Sequence, residues 1–345
     1  MERVIAVGSA PSSGSTLLAD LLDSTPYTAA GPELGLFSVS HFYEEYERFQ
    51  KRWFKTAKSR SLYYMRSAIN KANLAAYGFN KKSFDTIVQS AGDHREFLER
   101  FALHFLSLRG KSVEGMLFEK TPQNLEYIGK NLGFGRRFVV IVRNPAQVYL
   151  SLRKRGFAPA IALLTWFLEM ARVAPYLGHP NLVLVRYEEL TASPYETAAD
   201  IIARCCGIKV DPGEMEAYHA DNAYRIYHSQ RLPTWSVQDS TKVVPSKKRV
   251  DEESRRALAT LYSLRISKKY AALLGVEEYR FEDLLELFGY KESFLEQVPK
   301  RGGERFALDG ASRRFLWRKM AIDLLHGDFR PQDVAAYLGC VEQVG

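Results

Sequence analysis

The stretch Ala6-Val7-Gly8-Ser9-Ala10-Pro11-Ser12-Ser13-Gly14-Ser15-Thr16-Leu17-Leu18 decides the fold. It begins in a short apolar run, Val4 to Val7, breaks into small residues, and continues as an amphipathic helix through Leu17, Leu18, Leu21 and Leu22. Strand, small-residue turn, helix is the layout that presents backbone N–H groups and a helix N-terminus to a phosphate. Gly8 and Gly14 permit a close approach of the backbone, and Ser13, Ser15 and Thr16 add hydroxyls. A nucleoside-triphosphatase loop reads G-x-x-x-x-G-K-[ST]. Here five residues separate Gly8 from Gly14, and Ser15 stands in place of the lysine. That lysine reaches the β- and γ-phosphates, so its absence argues against ATP or GTP chemistry. A cradle without it suits a donor whose activated group sits directly on a 5′-phosphate. The alternative is a Ser/Gly-rich turn that holds no ligand.

Outward from this loop, strand patterns recur. Met116-Leu117-Phe118-Glu119-Lys120-Thr121-Pro122 reads as a strand ending at Lys120, with a turn forced by Pro122. Lys120 is either a stabiliser of leaving-group charge or an ordinary surface lysine. Phe138 to Val142 is a continuous apolar run, the pattern of a central parallel strand covered on both faces. Arg143 lies at its exit, and Pro145 opens a helix through about Arg155 that carries Ser151. An arginine at a strand exit with a hydroxyl on the next helix makes a second anion site; a helix-capping arginine is the alternative. A long helix from Ala158 to Leu177 precedes another buried strand, Asn181 to Arg186, with Tyr187-Glu188-Glu189-Leu190 at its exit. Ser193-Pro194-Tyr195-Glu196 reads as a capping box that starts a helix stopped by Gly207. The recurring βα units predict an α/β fold with a central parallel sheet flanked by helices.

The remaining segments are read more coarsely. Pro26 to Leu34 is a loop holding Glu33 near the carboxyl edge of the sheet, either a general base or a solvated surface charge. Residues 41–110 read as a helical insert on the acceptor side, rich in aromatics such as Phe42, Tyr43, Tyr46, Phe49, Trp53, Tyr63 and Tyr64. Within it Asp93 to Glu96 resembles a capped helix start, followed by Phe97, Phe101 and Phe105 at helical spacing up to Gly110. Residues 211–250 read as irregular and polar, a functional lid holding His219, His228, Arg231, Lys242, Lys247, Lys248 and Arg249. Asp251 caps a helix expected to run to about Leu274. The domain reading is therefore 1–274 for the α/β domain and 275–345 for a C-terminal helical extension.

Composition sets the outer bounds. With 345 residues and 46% hydrophobic content the chain can build a sizeable core, which excludes global disorder. Its net charge of +8 favours an anionic ligand. The basic residues are spread rather than gathered in a known nucleic-acid module, so no nucleic-acid partner is expected. Cys205, Cys206 and Cys340 give neither a disulfide framework nor zinc spacing, and no acidic cluster calls for a metal. No signal peptide or membrane span is visible, so the expectation is a cytoplasmic protein without stable membrane insertion.

Taken in order, these motifs resemble the sulfotransferases that use 3′-phosphoadenosine-5′-phosphosulfate. The family's 5′-phosphosulfate loop, P-[RK]-S-G-[ST]-T-x-L, is similar to Pro11-Ser12-Ser13-Gly14-Ser15-Thr16-Leu17-Leu18. Its 3′-phosphate arginine, with a serine eight residues on, is matched by Arg143 and Ser151. Its K-T-P turn resembles Lys120-Thr121-Pro122, and its Y-E-[DE]-L strand exit resembles Tyr187 to Leu190. The likeness spans about residues 3–270 and implies a P-loop-like sulfotransferase fold with that donor as co-substrate and no metal.

It further implies that Ser13 to Thr16 hold the 5′-phosphosulfate and that Arg143 and Ser151 hold the 3′-phosphate. Lys120 would neutralise the transferring group, and Glu33, in a G-x-E loop like that of tyrosylprotein sulfotransferases, would act as base. Basic residues of the 211–250 segment, Lys247 and Lys248 among them, would close over the 3′-phosphate. The acceptor would be a small molecule, carbohydrate or lipid, sulfated on a hydroxyl or amine. One departure stands out: Ser12 occupies the position of the family's loop Arg or Lys. It leaves open a non-catalytic nucleotide-binding protein, and a small-molecule kinase of related fold is the other rival.

Overall fold

A computed structural model of the chain describes residues 2–31, 33, 37, 46–57, 78–222, 243, 248–300, 305–314, 317 and 339–344, with 52–57 and 222 as backbone only. His228, Arg231, Lys242, Lys247, Phe42, Tyr43, Tyr63 and Tyr64 lie outside the described residues. The chain divides into two compact units. The first comprises Met1–Ser9, Gly14–Ile141 and His179–Pro245; the second comprises Ala10–Ser13, Val142–Gly178 and Ser246–Gly345.

The first unit is built on a five-stranded sheet, confirming the α/β class. The strands are β1 (Val4–Ser9), β2 (Thr28–Ala30), β3 (Met116–Lys120), β4 (Phe138–Val142) and β5 (Leu182–Arg186), in the order β2-β3-β1-β4-β5. β1 pairs in parallel with both β3 and β4, with Val7 opposite Lys120 on one side and Val139 on the other. Parallel strands are covered on both faces, which is why β1, β3 and β4 are buried along their whole length. One face packs Ile5, Val7, Val139 and Ile141 against Leu18, Leu21 and Leu22 of the helix Ser15–Leu22 and Ile201, Ile202 and Cys205 of the helix Pro194–Cys206.

The helical insert is helical where it is described, at Tyr46–Ala57, Lys81–Ser90 and His94–Leu108. Asp93 caps the last of these as the sequence predicts: its side chain accepts from the Glu96 N–H, and Glu96 accepts in return from the Gly92 N–H. Phe97, Phe101 and Phe105 are fully buried and stack in series, with Phe79 stacked on Phe101 and Phe105, so they form core.

Several readings are corrected. The segment from Pro26 to Leu34 is not loop throughout, because Thr28–Ala30 is a strand drawn into the sheet by parallel pairing with Met116–Phe118. Residues 211–250 are not irregular throughout, because Pro212–Asn222 is a helix whose start is capped by Asp211. His219 lies within that helix and is buried, accepting or donating across to Tyr195 Oη at 3.0 Å and facing Asp20 Oδ2 at 3.4 Å, so it belongs to the core. Ser193 makes no side-chain cap for Pro194–Cys206. It also terminates the preceding helix, Tyr187–Ala192, by donating its N–H to Glu189 O, and its ψ of 76° departs from the extended backbone a cap requires.

The second unit holds the helices Pro145–Lys154 and Pro159–Val173 together with the C-terminal chain. The helix capped by Asp251 ends at Ala259 instead of reaching Leu274. β6 (Leu264–Ile266) follows and pairs antiparallel with β7 (Val341–Gln343), before a new helix, Lys268–Leu274, is capped by Ser267. A partner strand more than seventy residues away overrides the local helical pattern, and the segment after 275 contributes a strand as well as helices. Trp166, Phe281, Tyr262 and Phe294 pack edge to face in the core of this unit.

Candidate functional site

Within the first unit, β3 brings Lys120 to the carboxyl edge of the sheet. Alternation along the strand turns Glu119 and Lys120 to opposite faces. Glu119 is fully buried and fixes the turn that ends the strand, accepting from Thr121 Oγ1 at 2.6 Å and from Asn124 Nδ2 at 2.8 Å. The same Asn124 amide donates to Val7 O at 3.1 Å, tying this turn to β1. Lys120 is buried, with 0% side-chain exposure, and its ammonium is ion-paired with Glu33, which is 26% exposed. Nζ also lies 3.5 Å from Thr16 Oγ1. The two residues assigned catalytic roles from sequence are therefore in contact, beside a hydroxyl of the glycine-rich loop.

The start of the loop helix leaves backbone N–H groups without a side-chain cap. Gly14 is its cap residue, in the left-handed region at φ 94°, and no side chain caps the helix. Its first N–H groups thus meet no capping acceptor, and no acidic residue stands in the first turn. The Tyr187 ring packs on Gly14 so closely that a Cβ there would lie 2.4 Å from the ring. Tyr187 sits at the β5 exit, buried in the core of this unit. Ser15 is buried, while Thr16 and Leu17 are half-buried.

In the second unit, Ala10–Ser13 form a tight turn closed by Ser13 N–H donating to Ala10 O at 3.2 Å. Pro11 takes the second position, and Ser12 takes the third at φ 72°, the positive φ of a type II turn. Two guanidinium groups hold Ser12. Arg143 Nη1 donates to its carbonyl at 3.2 Å, and Arg155 Nη1 donates to its hydroxyl at 3.0 Å. Ser13 is fully buried, and among the described residues its hydroxyl has no hydrogen-bond partner. An orphaned buried hydroxyl in a turn flanked by arginines fits an anionic oxygen.

Arg143 leaves β4 with its backbone fixed: Trp166 Nε1 donates to Arg143 O at 2.9 Å and Tyr290 Oη donates to Val142 O at 3.2 Å. Ser151 lies on the helix Pro145–Lys154, half-buried. Lys248 is near enough to Arg143 and Lys154 to feel both. Burial first, then these two cations, lower its ammonium from the usual lysine range.

Arg155, Lys154 and Asn124 escape motif reading. Arg155 does carry a signal: it follows Ser151 by four residues on one helix and so shares its face. Lys154 and Asn124 carry none. Among the described residues no cluster of His, Cys, Asp or Glu could hold a metal ion, and no helix is long and apolar enough to cross a membrane.

Residues 4–212 match the model of the sulfotransferase family, more than half of the chain. The chain belongs to the sulfotransferase family. No curated protein matches it. Among solved structures it is similar to the sulfotransferase domain of the Synechococcus PCC 7002 olefin synthase, at 18% identity and TM-score 0.47, covering 86% of this chain and 96% of that one. It is similar also to the sulfotransferase domain from the curacin biosynthetic pathway, at 15% identity and TM-score 0.44, over 80% and 98% of the two chains. A sulfotransferase from Alicyclobacillus acidocaldarius matches at 15% identity and TM-score 0.35, over 66% and 95%. Family membership rests on the matched residues 4–212.

Proposed function

We propose that this sulfotransferase takes its sulfuryl group from 3′-phosphoadenosine-5′-phosphosulfate and transfers it to a hydroxyl or amine of a small-molecule, carbohydrate or lipid acceptor. The observation that carries the proposal is the contact of Lys120 with both Glu33 and Thr16. It joins a candidate base and a candidate charge-neutralising cation to the loop whose motif belongs to the phosphosulfate end.

When bound, the donor supplies an activated sulfuryl group that needs no metal. Ser13 to Leu17 bind its 5′ end through uncapped helix N–H groups and hydroxyls. Arg143, Ser151 and Lys248 take the 3′-phosphate, with Arg155 and Lys154 adding charge. Glu33 accepts the acceptor's proton as the acceptor oxygen or nitrogen attacks sulfur. The bond from sulfur to the 5′-phosphate oxygen breaks, adenosine 3′,5′-bisphosphate leaves, and Lys120 neutralises negative charge as it spreads over the transferred group. Positioning and charge neutralisation supply the rate, as in phosphoryl transfer. Arg155 returns at Ser12 the positive charge that the loop lacks at that position. This supports a working enzyme over a purely nucleotide-binding protein. We assign the transfer chemistry to residues 1–274, treat 275–345 as an extension, and place the protein in the cytoplasm, where its free cysteines stay reduced.

Calorimetry with adenosine 3′,5′-bisphosphate against ATP tests the donor, repeated with Arg143→Ala. The bisphosphate binds more tightly, and the substitution removes most of that preference. Equal affinities in the native protein contradict the proposal. Mass spectrometry of a phenol, sugar and long-chain alcohol panel incubated with the donor then identifies the acceptor.

A further inference from the structure

We infer that Gln147 is a positioning residue for anion binding at Arg143, because its side-chain amide clamps the Lys248 backbone so that the Lys248 ammonium shares Arg143's anion. The inference rests on the reading of Arg143 and Lys248 as the 3′-phosphate pocket.

The clamp is two-pronged. Gln147 Nε2 donates to Lys248 O at 2.9 Å, and the Lys248 N–H donates to Gln147 Oε1 at 2.8 Å. The side-chain amide thus pairs with one residue's backbone as a neighbouring strand would. Its second N–H donates to Gln297 Oε1 at 2.9 Å. A primary amide has two donors and one carbonyl, so all are used, and turning it over would set donor against donor. Gln147 is buried, so these bonds are shielded from competing water. Gln297 is fixed in turn, its Nε2 donating to Ser293 O at 2.8 Å, and Asn144 Nδ2 reaches Ser293 Oγ at 3.2 Å. Asn144 and Gln147 both open the helix that follows Arg143.

What the clamp holds is electrostatically unfavourable. Among the described residues, Arg143 and Lys154 are the charged groups that act on the Lys248 ammonium, and both repel it. A lysine on a free loop would swing away into water. Neutral amide bonds keep the Lys248 backbone against the helix that follows Arg143, so its ammonium stays within reach of Arg143's anion. Three cations tethered in this way bind a phosphate more tightly than the same three on mobile chains.

The test is calorimetry with adenosine 3′,5′-bisphosphate from pH 6 to 10.5 on the native protein and on Gln147→Leu, Gln147→Met and Lys248→Gln. In the native protein affinity falls with rising pH, beginning below the ordinary lysine range. The free ammonium is destabilised and must be protonated to bind. Lys248→Gln loses about tenfold in affinity at neutral pH and lacks this alkaline limb. Gln147→Leu loses about as much, and its limb moves toward the ordinary lysine value because the released side chain leaves Arg143 and Lys154. A merely structural tie moves no such limb. A folded Gln147→Leu with native affinity and the native limb overturns the inference. Should that variant not fold, Gln147→Met, which keeps the side-chain length and loses the acceptor and both donors without adding charge, decides it by the same two readings. Native protein that prefers ATP defeats the pocket assignment itself, and the clamp falls with it. Native preference lost in Arg143→Ala but untouched in the Gln147 variants defeats the clamp alone.

Discussion

The Lys120 ammonium, wholly buried at the end of β3, is ion-paired with the Glu33 carboxylate and reaches toward Thr16 Oγ1. Burying an ammonium is costly unless it is paired, and the carboxylate supplies such a partner. If Glu33 is the base, Glu33→Gln lowers kcat by about 10²–10⁴ while bisphosphate affinity stays within about twofold. Lys120→Met lowers kcat by about 10²–10³. The double variant loses less than the sum of the two, because the residues act on one transfer. Steady-state assays with a sulfated product decide it; strictly additive losses would show that the pair does not work together.

Ser12 carries the loop's unusual dihedral, and its substitutions separate backbone strain from side-chain contact. A left-handed non-glycine residue costs about 1–2 kcal/mol. Glycine removes that strain but gains unfolded-state freedom worth about 0.4–1 kcal/mol and gives up the Arg155 contact. Ser12→Gly is therefore expected within about 1 kcal/mol of native stability, whereas β-branched Ser12→Val costs more than about 1 kcal/mol. Urea unfolding midpoints measure both, and equal losses for Gly and Val would locate the effect in the hydroxyl rather than the backbone.

Gly14 is constrained twice, by φ 94° and by the Tyr187 ring at 2.4 Å from an added Cβ. Gly14→Ala should cost about 1–3 kcal/mol and weaken bisphosphate binding, since the helix start must shift. Pairing it with Tyr187→Ala relieves the steric part and leaves the dihedral part. Full recovery of binding in the double variant would mean that the dihedral is unimportant.

Burial pushes the Cys205 and Cys206 thiols up to about 12. At pH 8 the thiolate fraction is then on the order of a thousandfold below that of an exposed cysteine. Alkylation by iodoacetamide should be correspondingly slow in the native protein and fast in urea. It should still be rising with pH past the range where ordinary thiols level off. Rapid stoichiometric labelling of either residue in the native protein at pH 8 would show the helix end to be open.

Much of the candidate site was legible because its signals are local. The loop is composition, Lys120 and Arg143 are strand ends marked by the following prolines, and the Asp93 cap lies within four residues of its partner. Elsewhere local patterns misled. Leu264–Ile266 continues a helical periodicity, yet pairs with Val341–Gln343. His219 sits in a polar stretch but is buried against Tyr195 and Asp20, groups distant in sequence. The Ser193 box has the right letters, but the preceding helix claims its N–H.

From residue order alone come the parallel α/β sheet, the glycine-containing loop between β1 and its helix, and the strand-end cations, since each depends on neighbours within a few positions. Only the tertiary structure decided that Glu33 meets Lys120, that Arg155 reaches Ser12, and that Gln147 holds Lys248. These contacts join residues separated by 87, 143 and 101 positions. Their distances are fixed by how the sheet and helices pack, and no periodicity or motif encodes that.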